Sequence, residues 1–189
     1  MRGQQRPRVL NERRNMARRK AVDETADITS VEAESKPIIP KDIDPNTMVL
    51  VKNGFHGPLI YVSSRTNERV VWNEFGDEQE MELKELRNAK SSAKKFFENN
   101  WFMFSDEYKW VVSYLGLNKY YKYAVKLEDF DEIFEKKPEE IADIVSKMTN
   151  GQKHSLSYRA RQLVMNGEID SRKMIAALEE ALDTEFIEK

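Results

Sequence analysis

Between residues 48 and 83 the apolar positions recur every second residue. The runs MVLVKN, PLIYVSS and ERVVWNEF are rich in β-branched and aromatic side chains, and QEMEL places Met81 and Leu83 on one face. Turn residues separate them: Asn53-Gly54 through Pro58, Ser64-Arg65-Thr66-Asn67, and Gly76-Asp77. The spacing predicts four strands of about five residues in a curved meander. A sheet this small has to curl or pack on a helix to cover its edges. An SH3-like, partly open β-barrel or curved antiparallel sheet is therefore expected. Trp101-Phe102-Met103-Phe104 is apolar on both faces and is the candidate fifth strand.

Elsewhere the period lengthens to that of a helix. Leu86, Ala93 and Phe97 form one stripe over Leu83 to Asn99. Ser105-Asp106-Glu107 reads as a helix start, and Val111, Tyr114 and Leu115 continue it to Gly116. NKYYKYAV and Glu128 to Phe134 are shorter segments. Pro138 suits a first helical position, followed by Ile141, Ile144, Val145 and Met148, with Asn150-Gly151 as the stop. A helix over Ser155 to Asn166 follows. Asp170 then caps a last helix carrying Met174, Ile175, Leu178 and Leu182. Apart from Gly3, every glycine falls at an expected turn or helix end. The fold class is α+β, a small β-unit followed by a helical bundle.

Charge adds a third part. Residues 1–20 hold seven Arg and one Lys against Glu12, a net of +7. Residues 21–44 hold seven acids against Lys36 and Lys41, a net of −5, which leaves −4 for the remainder. A weak helix from about Leu10 to Ala21 is the most structure the first segment supports, because its apolar positions are too sparse to offset ordering. Three regions result: a basic then acidic N-terminal arm over 1–44, largely disordered alone; a small β-barrel with an inserted helix over 45–104; and a helical domain over 105–189. Charged residues make up 34% of the chain, above the usual quarter, so the outer helical faces are expected to be solvated.

The chemistry that would mark an enzyme is sparse. With no cysteine there is no disulfide, zinc–thiolate site or thiol nucleophile, which fits a reducing compartment or a particle assembled in one. His56 and His154 are the only histidines, and neither stands in a metal-ligand spacing. No glycine-rich phosphate loop or nucleophile elbow occurs. Glu139-Glu140 and Glu179-Glu180 lie on outward helical faces as solvated charges. No apolar run is long enough for a membrane span, and no apolar stretch follows the basic start as in a secretory signal. The expectation is a non-enzymatic protein with no cofactor, no metal, no membrane and no small-molecule substrate.

Binding residues are the better candidates. Arg2, Arg6, Arg8, Arg13, Arg14, Arg18, Arg19 and Lys20 suit phosphates or an acidic protein partner, with non-specific, salt-sensitive contact to nucleic acid. Phe55, His56, Arg65 and Asn67 sit in the turns of the β-unit. Tyr120 and Tyr121, with Tyr123, Lys119 and Lys122, form an aromatic–basic cluster of which one ring should pack and one face outward. Trp72 has two readings. If Val70 faces inward, Trp72 is core; if Val71 does, Trp72 is exposed and suits a peptide or a base.

The segments VVWNEFGDEQEMELKEL, FFENNW, YLGLNKYYKY and NGEIDSRKMIAALEEAL resemble those of small virion-associated structural proteins of tailed bacteriophages of Gram-positive hosts, over residues 45–189. The resemblance implies a particle component that is assembled in the host cytoplasm, resides in the virion, and works through contacts with other virion proteins in a multi-subunit assembly. It carries over no individual functional residue.

Overall fold

The computed structural model describes residues 39–186. They form a mixed α+β structure of five strands and, among the described residues, seven α-helices. The strands are β1 (Met48–Asn53), β2 (Leu59–Val62), β3 (Arg69–Trp72), β4 (Glu78–Glu82) and β5 (Phe102–Met103). The helices are α1 (Leu83–Ser92), α2 (Lys95–Glu98), α3 (Lys109–Tyr114), α4 (Asn118–Tyr121), α5 (Pro138–Lys147), α6 (Asn150–Met165) and α7 (Arg172–Leu182).

All four expected strand runs and the fifth strand are present, but their pairing is not a meander. One antiparallel sheet has the order β4-β1-β5, and a second holds β2 and β3. No closed barrel forms among the described residues. The cause lies at Asn53. Its backbone N–H donates to Asp77 O and its carbonyl accepts from Gly76 N–H, both at 2.8 Å, which extends the β1–β4 pairing. Its side-chain amide donates to Gly57 O and Glu74 O and accepts from Phe55 N–H. The chain is thereby turned aside after β1 and cannot fold straight back as a hairpin. Gly54 N–H then donates to Trp101 O, which brings β5 against the other edge of β1.

The two sheets share one core. Val49, Val51, Leu59, Tyr61, Trp72 and Met81 alternate inward and meet Leu83, Leu86, Phe97 and Phe102. Trp72 is fully buried, and its indole N–H donates to Val51 O at 2.8 Å, which ties β3 to β1 across the sheets. Of the two readings for this residue, the core one holds. A second core joins α5, α6 and α7 through Ile141, Val145, Leu156, Ala160, Ile175 and Leu178, with Phe130 and Ile133 added from the preceding turn.

Several helix boundaries differ from those expected, each for a local reason. The helix over 83–99 breaks at Ala93, whose backbone leaves the helical region, so Phe96 and Phe97 both turn into the first core on α2. Ser105 makes no side-chain cap, and a 3-10 turn over Asp106–Tyr108 leads into α3. The segment from Glu128 is a 3-10 turn at Asp131–Glu135. Ser171, not Asp170, caps α7, accepting from Met174 N–H. Asn150-Gly151 does not end a helix; it starts α6, with the Thr149 hydroxyl accepting from Gln152 N–H.

Gly151 shows why. A Cβ at this position would lie 2.1 Å from Asn99 O and 2.5 Å from the Asn99 side chain. A Cβ at Gly54 would lie 2.1 Å from Asn100 O. The Asn99–Asn100 turn is clasped between these two glycines, so α6 and the β1–β2 loop approach it at backbone distance. Both glycines serve close approach.

Candidate interaction surfaces

The expected interface residues occupy three places on the fold. The first is the loop after β1. Ser155, buried on α6, accepts from His56 N–H and donates to Gly54 O at 3.1 Å, so the loop is fixed to the helical half. Phe55 meets the Trp101 ring edge-on at 6.0 Å. His56 stacks on Phe75, with ring centres 4.4 Å apart and planes 7° apart, and Tyr158 lies tilted beside it at 5.4 Å. His56, Phe75 and Tyr158 wall an open cleft of about 530 Å³ that also takes in Glu74, Glu128, Asp131 and Arg159. Arg159 donates to both oxygens of Asp131, at 3.0 and 2.7 Å. Burial pushes the His56 imidazole below its ordinary pKa of 6.5, and the nearby Arg159 charge adds to this, while Asp131 opposes. The imidazole is therefore mostly neutral near pH 7, a flat ring in the wall of the cleft.

The second place is the tip of the β2–β3 hairpin. Arg65 and Asn67 are exposed there. Asn67 takes a positive φ of 63° and donates its N–H to Ser63 O, closing the tip. Arg65 reaches the Glu85 carboxylate on α1 at 3.5 Å. Burial pushes the Tyr61 phenol well above its usual range, and its 2.6 Å hydrogen bond to Glu85 adds to this. The hairpin is thus held on α1 by its inner face. Its outer face is apolar: Ile60, Val62 and Val71 are 45%, 47% and 38% exposed. Ile60 and Val71 are direct cross-strand partners. β2 pairs only with β3 among the described strands, so its far edge is open.

The third place is the α2–α4 surface. Tyr121 donates its hydroxyl to Phe102 O at 2.6 Å and anchors α4 to β5. Burial raises its phenol pKa beyond the usual range. Tyr120 is half-buried, donates to Glu98 at 2.8 Å, and has Lys94 and Lys119 over its ring. Tyr120 and Tyr121 are both half-buried against the first core, and Tyr123 beyond them is the exposed ring of the three.

Arg2, Arg6, Arg8, Arg13, Arg14, Arg18, Arg19 and Lys20 lie outside the described residues. Among the described residues no cluster of His, Asp and Glu could hold a metal ion, and no helix is long and apolar enough to cross a membrane. The cleft around His56 went unseen in the sequence because its lining comes from four stretches spread over more than a hundred positions. The one local signal was His56 beside Phe55 in a turn.

Comparison with known proteins gives no family model, no curated protein and no solved structure that matches this chain.

Proposed function

We propose that this chain is a non-enzymatic structural or assembly subunit of a bacteriophage particle, acting through contacts with other virion proteins. One observation carries the contact part of this reading: the outer face of the β2–β3 hairpin. Three neighbouring aliphatic side chains face solvent there, beside an unpaired strand edge. Exposed apolar groups next to open backbone donors and acceptors favour another chain, through burial and added strand pairing. In this reading the two sheets work as one small, partly open SH3-like barrel closed by Trp72, and the helices behind it form a rigid bundle. The particle assignment rests on the segment resemblance over residues 45–189.

A second reading is a nucleic-acid-binding accessory protein that uses the Arg-rich arm, whose net charge of +7 supports it. That reading requires binding to fall steeply with salt and to vanish when residues 2–20 are deleted.

Mass spectrometry of purified particles against infected-cell lysate tests the first reading. It expects the chain in the particles at a fixed ratio to other virion proteins. Recovery from lysate alone, with none in particles, would overturn it.

A further inference from the structure

The sequence from Arg87 to Lys122 holds seven cations against Glu98, Asp106 and Glu107, a net of +4, although residues 45–189 together carry −4. Folding gathers these cations beside aromatic rings. Lys94 and Lys119 lie 5.7 and 4.5 Å from the centre of the Tyr120 ring. Lys95 lies 5.7 Å from that of Trp101, and Lys122 lies 4.8 Å from that of Tyr123. The Lys90 ammonium is close to Gly116, where α3 gives way to α4. Glu98, the acid within this surface, is engaged by Lys94 at 2.7 Å and by the Tyr120 hydroxyl. Asp106 is engaged by Lys109 and Lys126. Among the described residues Lys90, Lys95, Lys119 and Lys122 make no ion pair at contact distance, and Lys119 feels the Glu98 charge only from further off. Tyr123, two residues beyond the end of α4, is 53% exposed.

We propose that this α2–α4 face binds single-stranded nucleic acid, with Lys90, Lys95, Lys119 and Lys122 on phosphates and Tyr123 as a stacking platform for a base. Lysines alone would suit any polyanion. The exposed ring among them favours a strand with free bases, since base–aromatic stacking adds affinity that an acidic peptide gains far less from. The lysine–tyrosine contacts hold the ammonium groups near the rings, so neither has to be ordered at the moment of binding. The proposal goes beyond both functional readings: it assigns a site on the folded body and does not depend on the arm or on the particle.

The test uses the full chain and a fluorescein-labelled 20-nucleotide oligothymidylate, followed by anisotropy between 50 and 300 mM salt, with poly-glutamate as a second probe. All substituted side chains are outward, and far-UV circular dichroism checks that each variant is folded. The triple variant Lys95→Gln/Lys119→Gln/Lys122→Gln should bind the strand about tenfold more weakly and lower the slope of log K against log salt by about 2. Tyr123→Ala should weaken strand binding about fivefold and leave poly-glutamate binding unchanged. An unchanged affinity and slope in the triple variant would overturn the proposal, because all binding would then reside elsewhere. So would a Tyr123→Ala variant that binds the strand as well as the parent, which would make the face a site for acidic protein.

Discussion

At the residue scale, two positions decide how the halves meet. His56 is half-buried against Phe75, and its pKa is depressed. A depressed pKa means that the unfolded chain takes up a proton at a higher pH than the folded one. The contribution of His56 is therefore present above about pH 6.5 and is lost as the pH falls toward the folded value. Urea unfolding followed from pH 7.5 to 5 should show stability falling through this window, and His56→Gln should remove that part of the slope. A midpoint for the imidazole at or above 6.5, read by NMR titration, would contradict the burial described. Gly151 is the other position. An added methyl meets the backbone carbonyl of Asn99, which cannot swing away as a side-chain tip can. Gly151→Ala should lower unfolding free energy by about 1–3 kcal/mol, whereas the same change at an open helical site raises it by about 0.4–1 kcal/mol. Trp72 and Gly151 differ in how far the chain announces them. Alternation put Trp72 on the same strand face as Val70 and left open which face is inward, so the choice was narrowed to two by four adjacent residues. The role of Gly151 depends on Asn99, fifty-two positions away, so its local context suggested a helix stop.

At the element scale, the strands and most helices follow from periodicity, whereas their pairing does not. β1 reads as a strand from Val49 and Val51 alone. That it lies between β4 and β5 depends on how Asn53 spends its side-chain hydrogen bonds, and on Gly54 reaching Trp101. The same limit explains the broken helix at Ala93: three apolar residues fitted one stripe, but the chain leaves the helical region at Ala93 and restarts as α2, which buries Phe96 as well as Phe97. The link between the β1–β2 loop and α6 also lives at this scale. Ser155 satisfies both His56 N–H and Gly54 O. Ser155→Ala leaves both groups without that partner and should cost about 1–3 kcal/mol, with faster hydrogen exchange at the His56 amide than at amides of α7. Equal exchange at His56 in the parent and the variant would show that the loop does not need this bridge.

At the scale of the whole molecule, two cores are joined by backbone approach at Asn99–Asn100 and by the ring stack at His56. Junctions of this kind tie the outward surfaces of the two parts to one another. The outward surfaces differ in character: an apolar hairpin face, an aromatic cleft and a lysine-rich face. Composition averages them away, and a net charge near zero hid a +4 segment within an acidic body. Burial is what separates Ile60 from Tyr61, or Val71 from Trp72, and burial depends on which strand covers which.

The proposed assembly role requires another protein to cover the outer hairpin face in the particle. Hydrogen exchange by mass spectrometry, on peptides spanning residues 59–72, in the free chain and in purified particles, tests it directly. These peptides should exchange readily at the open β2 edge in the free chain and become at least tenfold slower in the particle. Equal exchange in both states, with the chain present in the particle, would contradict it.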